Sequence, residues 1–225
     1  MSIDVGVPFR GILFDFDGTL ANTMEDNYRA WQHVLHEVGA DIAREEYFLL
    51  EGMKLADVAR TLCEKHGVML PDYADIARRK ELYYAENHSF ALYPDVDRHI
   101  AEYAAAGIPM AIVTAGLHDR IVRSVPAGFL SRFKAVITGD RTERNKPFPD
   151  PYLKAAKDIG VPIGECVVVE NAPLGIQSAK AAGAYCIAIA STLDAHLLTE
   201  ADVVVAQFGG AADLPVMRSM LESSV

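Results

Sequence analysis

The 225-residue chain is 51% hydrophobic and 23% charged, a globular mix that excludes a disordered chain and is long enough to bury a sizeable core. Its net charge of -10 argues against a nucleic-acid partner, which calls for a basic face, but not against a small anion met by a metal or a few lysines. Three cysteines, Cys63, Cys166 and Cys186, exclude a disulfide framework, show no zinc spacing and fit a reducing, cytoplasmic setting. No apolar run nears the ~18 residues of a membrane span, and MSIDVGVPFR does not read as a signal peptide.

In chain order, the first element is the apolar run Gly11–Phe14, a buried strand by length and bounds. Helical stripes follow. Met24, Tyr28, Trp31, Leu35 and Val38 mark one helix, with Thr23 and Asp26 placed as a capping box. Leu55, Val58, Ala59, Leu62 and Cys63 mark a second. Ile76, Ala77, Tyr83 and Tyr84 mark a third, just after Pro71-Asp72. These predict an all-helical insert over residues 22–90, with residues 1–21 and 91–225 forming the other unit. Strands are predicted at Met110–Val113, Ala135–Ile137, 167–169, 187–189 and Val203–Val205. The helices between them stop at Gly107, Gly160 and Gly183, and a short, fraying helix follows Gly209. Strands alternating with helices predict an α/β fold: a doubly wound, Rossmann-like parallel sheet with helices on both faces.

The candidate chemistry sits at strand ends. Asp15 and Asp17 leave the first strand two residues apart and so on one side. Two like charges there call for a shared proton or a cation, and a hard divalent ion takes oxygen ligands. Thr114 ends the second strand, and the Ala115 and Gly116 amides after it can face an anion. Glu170 and Asn171 end the run VVV. Ligands bind outside the carboxyl ends of strands in such sheets, so all of these meet on one rim. Lys146 lies in the stiff stretch NKPFPDP, where Asp150-Pro151 reads as an N-cap and first helical residue.

These residues resemble the motifs of the haloacid dehalogenase-like phosphotransferase superfamily, in its β-phosphoglucomutase-like branch with a helical cap. The resemblance runs from residue 11 to about residue 206 and is carried by DFDGT, Thr114, Lys146 and Glu170-Asn171, in the family's order. It implies an Asp15 nucleophile forming an aspartyl phosphate, and Asp17 as general acid and then base. It implies Mg2+ held by Asp15, the Asp17 carbonyl and Asn171, with Glu170 in support. Thr114, Ala115 and Lys146 would hold the phosphoryl group. The fourth motif usually reads Glu-Asp; Asn171 removes one negative charge, which we expect to tune metal binding and not abolish it.

Around the cap, Tyr28-Arg29-Ala30-Trp31 resembles the mutases' helix, but Asn27 stands where they carry a histidine. Glu51-Gly52-Met53-Lys54 keeps the family's glycine. Leu55 stands where the mutases carry a phosphate-binding arginine, with Lys54 adjacent. Of Arg78, Arg79 and Lys80, at least two read as a solvated face, with Lys80 the candidate for the site. Asn27, Gly52, Lys54 and Lys80 are thus the expected cap contacts. Without that histidine and arginine, a Mg2+-dependent phosphatase of a small phosphorylated metabolite, a sugar phosphate, is favoured. A sugar-phosphate mutase and a catalytically weak phospholigand-binding protein are the alternatives. Asp17 argues against a dehalogenase, and the Asp-x-Asp and the insert against a receiver domain. No membrane partner is expected, and the sequence leaves the oligomeric state open, with a monomer compatible.

Overall fold

A computed structural model describes residues 9–222, so the predicted reading of the first eight residues and the fraying of the last three lie outside the described residues. Six strands form one parallel sheet in the order β3-β2-β1-β4-β5-β6. They are β1 (Gly11–Phe14), β2 (Met110–Val113), β3 (Ala135–Ile137), β4 (Cys166–Glu170), β5 (Tyr185–Ile189) and β6 (Val203–Val205). Side-chain alternation along the central strands feeds two separate cores. Ile12, Phe14, Ile112, Val167 and Val169 pack on one face, under α5 (Val96–Ala105), α9 (Phe208–Ala212) and α10 (Pro215–Glu222). Leu13, Ala111, Val113 and Val168 pack on the other, under α7 (Asp150–Ile159) and α8 (Pro173–Ala182). Covering both faces explains why each strand reads as a continuous apolar run. The short α6 (His118–Ser124) follows β2.

The interval between β1 and α5 is helical: α1 (Met24–His36), α2 (Arg44–Phe48), α3 (Leu55–Lys65) and α4 (Tyr73–Asn87). They close a third core around Trp31, Leu35, Phe48, Leu62 and Ile76. Leu193, from the loop after β5, also packs into it and seats the helices on the sheet. The chain enters and leaves this segment side by side, with Asn22 N donating to Ala91 O at 2.9 Å and Tyr93 N to Leu20 O at 3.0 Å.

Four local expectations change. The five-residue α2 is too short to carry a stripe and was not predicted; it buries only Tyr47 and Phe48. Thr23 makes no side-chain cap: its ψ of -4° is not the extended backbone a capping residue takes, and its hydroxyl donates to Asp17 Oδ1 at 2.6 Å. Asp150 is the first residue of α7 and not its cap, and it pairs with Arg144. The tail after Gln207 is two short helices, α9 and α10, because Leu214-Pro215 restarts the chain after Asp213.

Candidate active site

The order of the strands reverses between β1 and β4, and the carboxyl ends of these two neighbours carry the predicted acids. That gap is where open α/β sheets bind ligands. Asp15 and Asp17 follow β1, Thr114 follows β2, and Glu170 and Asn171 end β4; all five side chains are buried. Lys146 reaches in from the loop before α7, where Nζ donates to Asp15 Oδ1 at 2.7 Å and to Glu170 Oε1.

Glu170 is fully used. Oε1 accepts from Lys146 and from the Tyr152 hydroxyl at 2.8 Å, and Oε2 accepts from the Asn171 and Ala172 amides at 2.8 and 3.1 Å. It thus holds Lys146 and the turn that presents Asn171, each of its oxygens accepting two hydrogen bonds. Tyr152, on α7, carries no motif signature and went unnoticed in the sequence.

One atom of the Asn171 amide lies 3.2 Å from Asp15 Oδ2, from the Asp17 main-chain oxygen and from Thr19 Oγ1, while the other lies 3.0 Å from Thr192 Oγ1. With nitrogen inward, the amide donates to those oxygens. With oxygen inward, it stands 3.2 Å from Asp15 Oδ2 and from the Asp17 main-chain oxygen, ligands of the kind a hard divalent cation takes. The donor set therefore fits Mg2+, although it draws on a main-chain oxygen and an amide. Among the described residues no three His, Cys, Asp or Glu side chains form a metal cluster.

Asp17 is saturated. Oδ1 accepts from Thr23, from Asn27 Nδ2 at 3.3 Å and from Arg120 Nη1 at 2.8 Å. Oδ2 accepts from Arg120 Nη2 at 2.6 Å and from Thr114 Oγ1 at 3.3 Å. Burial alone would raise its pKa, but the Arg120 guanidinium outweighs burial and holds the carboxyl at about 2. Asp15 moves the opposite way: burial and the Glu170 charge push it well above the carboxylate range, and Lys146 offsets only part. Glu51, buried beside the pair with Tyr47 donating to it at 2.8 Å, is raised to about 7 by burial and the Asp17 charge.

Ala115 lines the small gap beside Asp17, while the Gly116 amide is taken by Thr114 Oγ1 at 3.0 Å and does not face an anion. Of the cap candidates, Asn27 bridges Asp17 and Lys80, and Lys80 is buried, bonding Asn27 and Glu81. Gly52 packs against the Lys146 side chain, where a Cβ would lie 2.8 Å from Cδ. Lys54 is not brought into the cluster: it is exposed and donates to the Glu143 carbonyl, at the outer rim. Arg78 and Arg79 pair outside the site with Asp75 and Glu37. Arg120 and Glu81 were missed, because an arginine three residues into a helix and an acid after a basic run carry no motif signal.

The family model "Haloacid dehalogenase-like hydrolase" matches residues 12–189. Hexitol phosphatase A of Escherichia coli (strain K12) is 34% identical over 201 residues, covering 87% of this chain and 90% of that protein. Protein SUPPRESSOR OF QUENCHING 1, chloroplastic, of Arabidopsis thaliana is 32% identical over 197 residues, but the chain spans only 19% of its length. Among solved structures, a putative β-phosphoglucomutase from Bacteroides vulgatus superposes with TM-score 0.80 at 26% identity, covering 97% of this chain and 90% of that one. CbbY from Rhodobacter sphaeroides, solved with xylulose-(1,5)bisphosphate, superposes with TM-score 0.76 at 30% identity, covering 92% and 96%.

Proposed function

The chain belongs to the haloacid dehalogenase-like hydrolase family, in its β-phosphoglucomutase-like branch, and on that premise we propose that it is a Mg2+-dependent phosphatase of a small phosphomonoester, a sugar phosphate. The observation that carries the reading is the pairing of Asp15 with Lys146 beside Asp17, at the sheet's switch point. Hexitol phosphatase A and the sugar-bisphosphate complex of CbbY support phosphorylated polyols and sugars as the substrate class.

Asp15 Oδ1, beside Lys146, attacks phosphorus, and the bond to the leaving alcohol breaks as the aspartyl phosphate forms. Lys146 holds Oδ1 and neutralises charge on the transferring group, while Thr114 and the Ala115 amide position it. Arg120 holds Asp17 ionised, so Asp17 can take up a proton and give it to the leaving oxygen only once that contact is released; it then takes one from the water that cleaves the acyl phosphate. Asp15 Oδ2, the Asp17 carbonyl and Asn171 would hold Mg2+, which supplies charge neutralisation of the phosphoryl oxygens when bound. Glu170 acts through Lys146 and Asn171. We take residues 22–90 as a cap that excludes water from the first step.

The test is phosphate release across a panel of sugar phosphates, with and without Mg2+, beside Asp15→Asn. Mg2+-dependent release lost in the variant is the expected result. Isomerisation of β-glucose 1-phosphate without release would make the protein a mutase. Tight ligand binding with no turnover would make it a binding module.

A further inference from the structure

Arg120 stands between two spaces of very different size. On the Asp17 side, the gap also bordered by Asn27, Glu51, Gly52 and Lys80 measures about 20 Å3, room for one water molecule and no substrate. On the other side, between α4 and α6, lies a cavity of about 580 Å3 walled by Leu55, Ala77, Leu82, Tyr84, Ala85 and Leu117. Leu82 is 60% exposed at its edge, an apolar surface that the fold leaves uncovered. Arg123 also lines the cavity, exposed and with no ion pair among the described residues.

The Arg120 side chain is built to occupy two places. Its fork covers both oxygens of Asp17, so no lone pair there is aimed at a substrate. The guanidinium carbon lies over the Tyr84 ring, 5.3 Å from its centre, a contact with no fixed hydrogen-bond direction. Its Nε is buried without a hydrogen-bond partner, yet Glu81 Oε2 on α4 is only 3.9 Å away. Gly116 provides the room: a Cβ at that position would lie 2.0 Å from Arg120 Nη2.

We propose that the 580 Å3 cavity is the chamber for the leaving alcohol, that Arg120 is the gate between it and the Asp15-Asp17 pair, and that the alcohol presents an apolar face to the chamber wall. The identity of the occupant rests on the phosphatase reading. Arg120 turns from Asp17 towards Glu81 when substrate enters, which joins the two spaces and frees Asp17 for the leaving oxygen. The swing also links the sheet to α4, so an occupied chamber and a released Asp17 come together.

The test reads affinity by calorimetry in Mg2+, with two non-hydrolysable phosphonates on the whole chain. Benzylphosphonate should bind wild type about tenfold or more tighter than methylphosphonate, from the apolar area it buries. Ala85→Trp, an exposed wall position, should erase that preference and leave methylphosphonate affinity in place. Arg120→Met should tighten both phosphonates, because no clamp has to be displaced, with Arg120→Lys intermediate. Equal affinities in wild type, a preference that survives Ala85→Trp, or weaker binding of both ligands by Arg120→Met overturns the proposal. The last outcome would make Arg120 a phosphoryl ligand. Absence of phosphate release from every ester, with the phosphonate pattern intact, overturns the phosphatase reading alone.

Discussion

Replacing Asn171 with aspartate restores a charge that the branch usually carries, and the geometry says what that charge meets. The inward atom of the amide is 3.2 Å from Asp15 Oδ2 and from the Asp17 carbonyl oxygen, in a fully buried position. Two carboxylate charges at that separation repel by about 5 kcal/mol at an effective dielectric near 20. Asp15, already pushed well above the carboxylate range, relieves part of this by taking up a proton. The metal-free Asn171→Asp variant should therefore lose about 2–4 kcal/mol, read as a lower urea midpoint in chelator. The same charge should tighten Mg2+ about tenfold or more, or about 1.4 kcal/mol. Calorimetric titration with MgCl2 reads the affinity, and urea unfolding in saturating Mg2+ should show the stability deficit shrink by linkage. Equal metal-free stability together with equal Mg2+ affinity would refute the reasoning, because Asn171 would then not face the ion.

Lys146→Met leaves Asp15 and Glu170 buried without their shared cation, and should cost about 3–5 kcal/mol in urea unfolding as well as turnover. Gly175→Ala places a Cβ 1.8 Å from Glu170 Oε1 and 2.4 Å from Oε2, where four donors hold the carboxylate. It should lower stability by about 1–3 kcal/mol and weaken inorganic phosphate binding through a displaced Lys146. Glu51, raised from 4.5 to about 7 in the folded state, binds its proton more tightly folded than unfolded. Its contribution is complete below pH 4.5 and is lost as pH rises to about 7, up to about 3 kcal/mol, so Glu51→Gln should flatten the stability profile across that window.

The fold was legible because each strand is buried on both faces and so reads as an uninterrupted apolar run bounded by glycine or polar residues. The meeting of Asp15, Asp17, Thr114, Glu170 and Asn171 was legible because they sit at the ends of those runs, where chain position fixes spatial position, and Lys146 joins them from the stiff loop before α7. Arg120, Glu81, Glu51 and Tyr152 were not. Each reaches the site through a long side chain or a tertiary approach that leaves no local spacing behind. Lys54 and Lys80 show the same limit from the other side. Both are cap lysines near the expected contacts, but α4 turns Lys80 inward over Trp31 and Tyr84, while Lys54 precedes α3 and finds the Glu143 carbonyl. Thr23 read as a helix cap because its spacing allows one, but its backbone does not take the extended form of a cap and its hydroxyl is turned to the Asp17 carboxylate.

The charges of the site say why a chain with a net charge of -10 can still take a phosphate ester. Five carboxylates gather here, from Asp15, Asp17, Glu51, Glu81 and Glu170, and three cations answer them, from Lys80, Arg120 and Lys146. With every carboxylate ionised the cluster would be two positive charges short, the charge of one divalent cation. Asp17 and Glu81 are held low by Arg120 and Lys80, whereas Asp15 and Glu51 are pushed up. On the Asp15 side, Asp15 and Glu170 share the single cation Lys146, close to the Asn171 amide and the Asp17 carbonyl. A cation bound there lowers the cost of bringing a dianionic ester to Asp15, and the ester in turn strengthens the hold on the cation by the same factor. On the Asp17 side Arg120 already covers both carboxylate oxygens, so what the leaving group needs there is space, and that space is what Arg120 withholds until it moves.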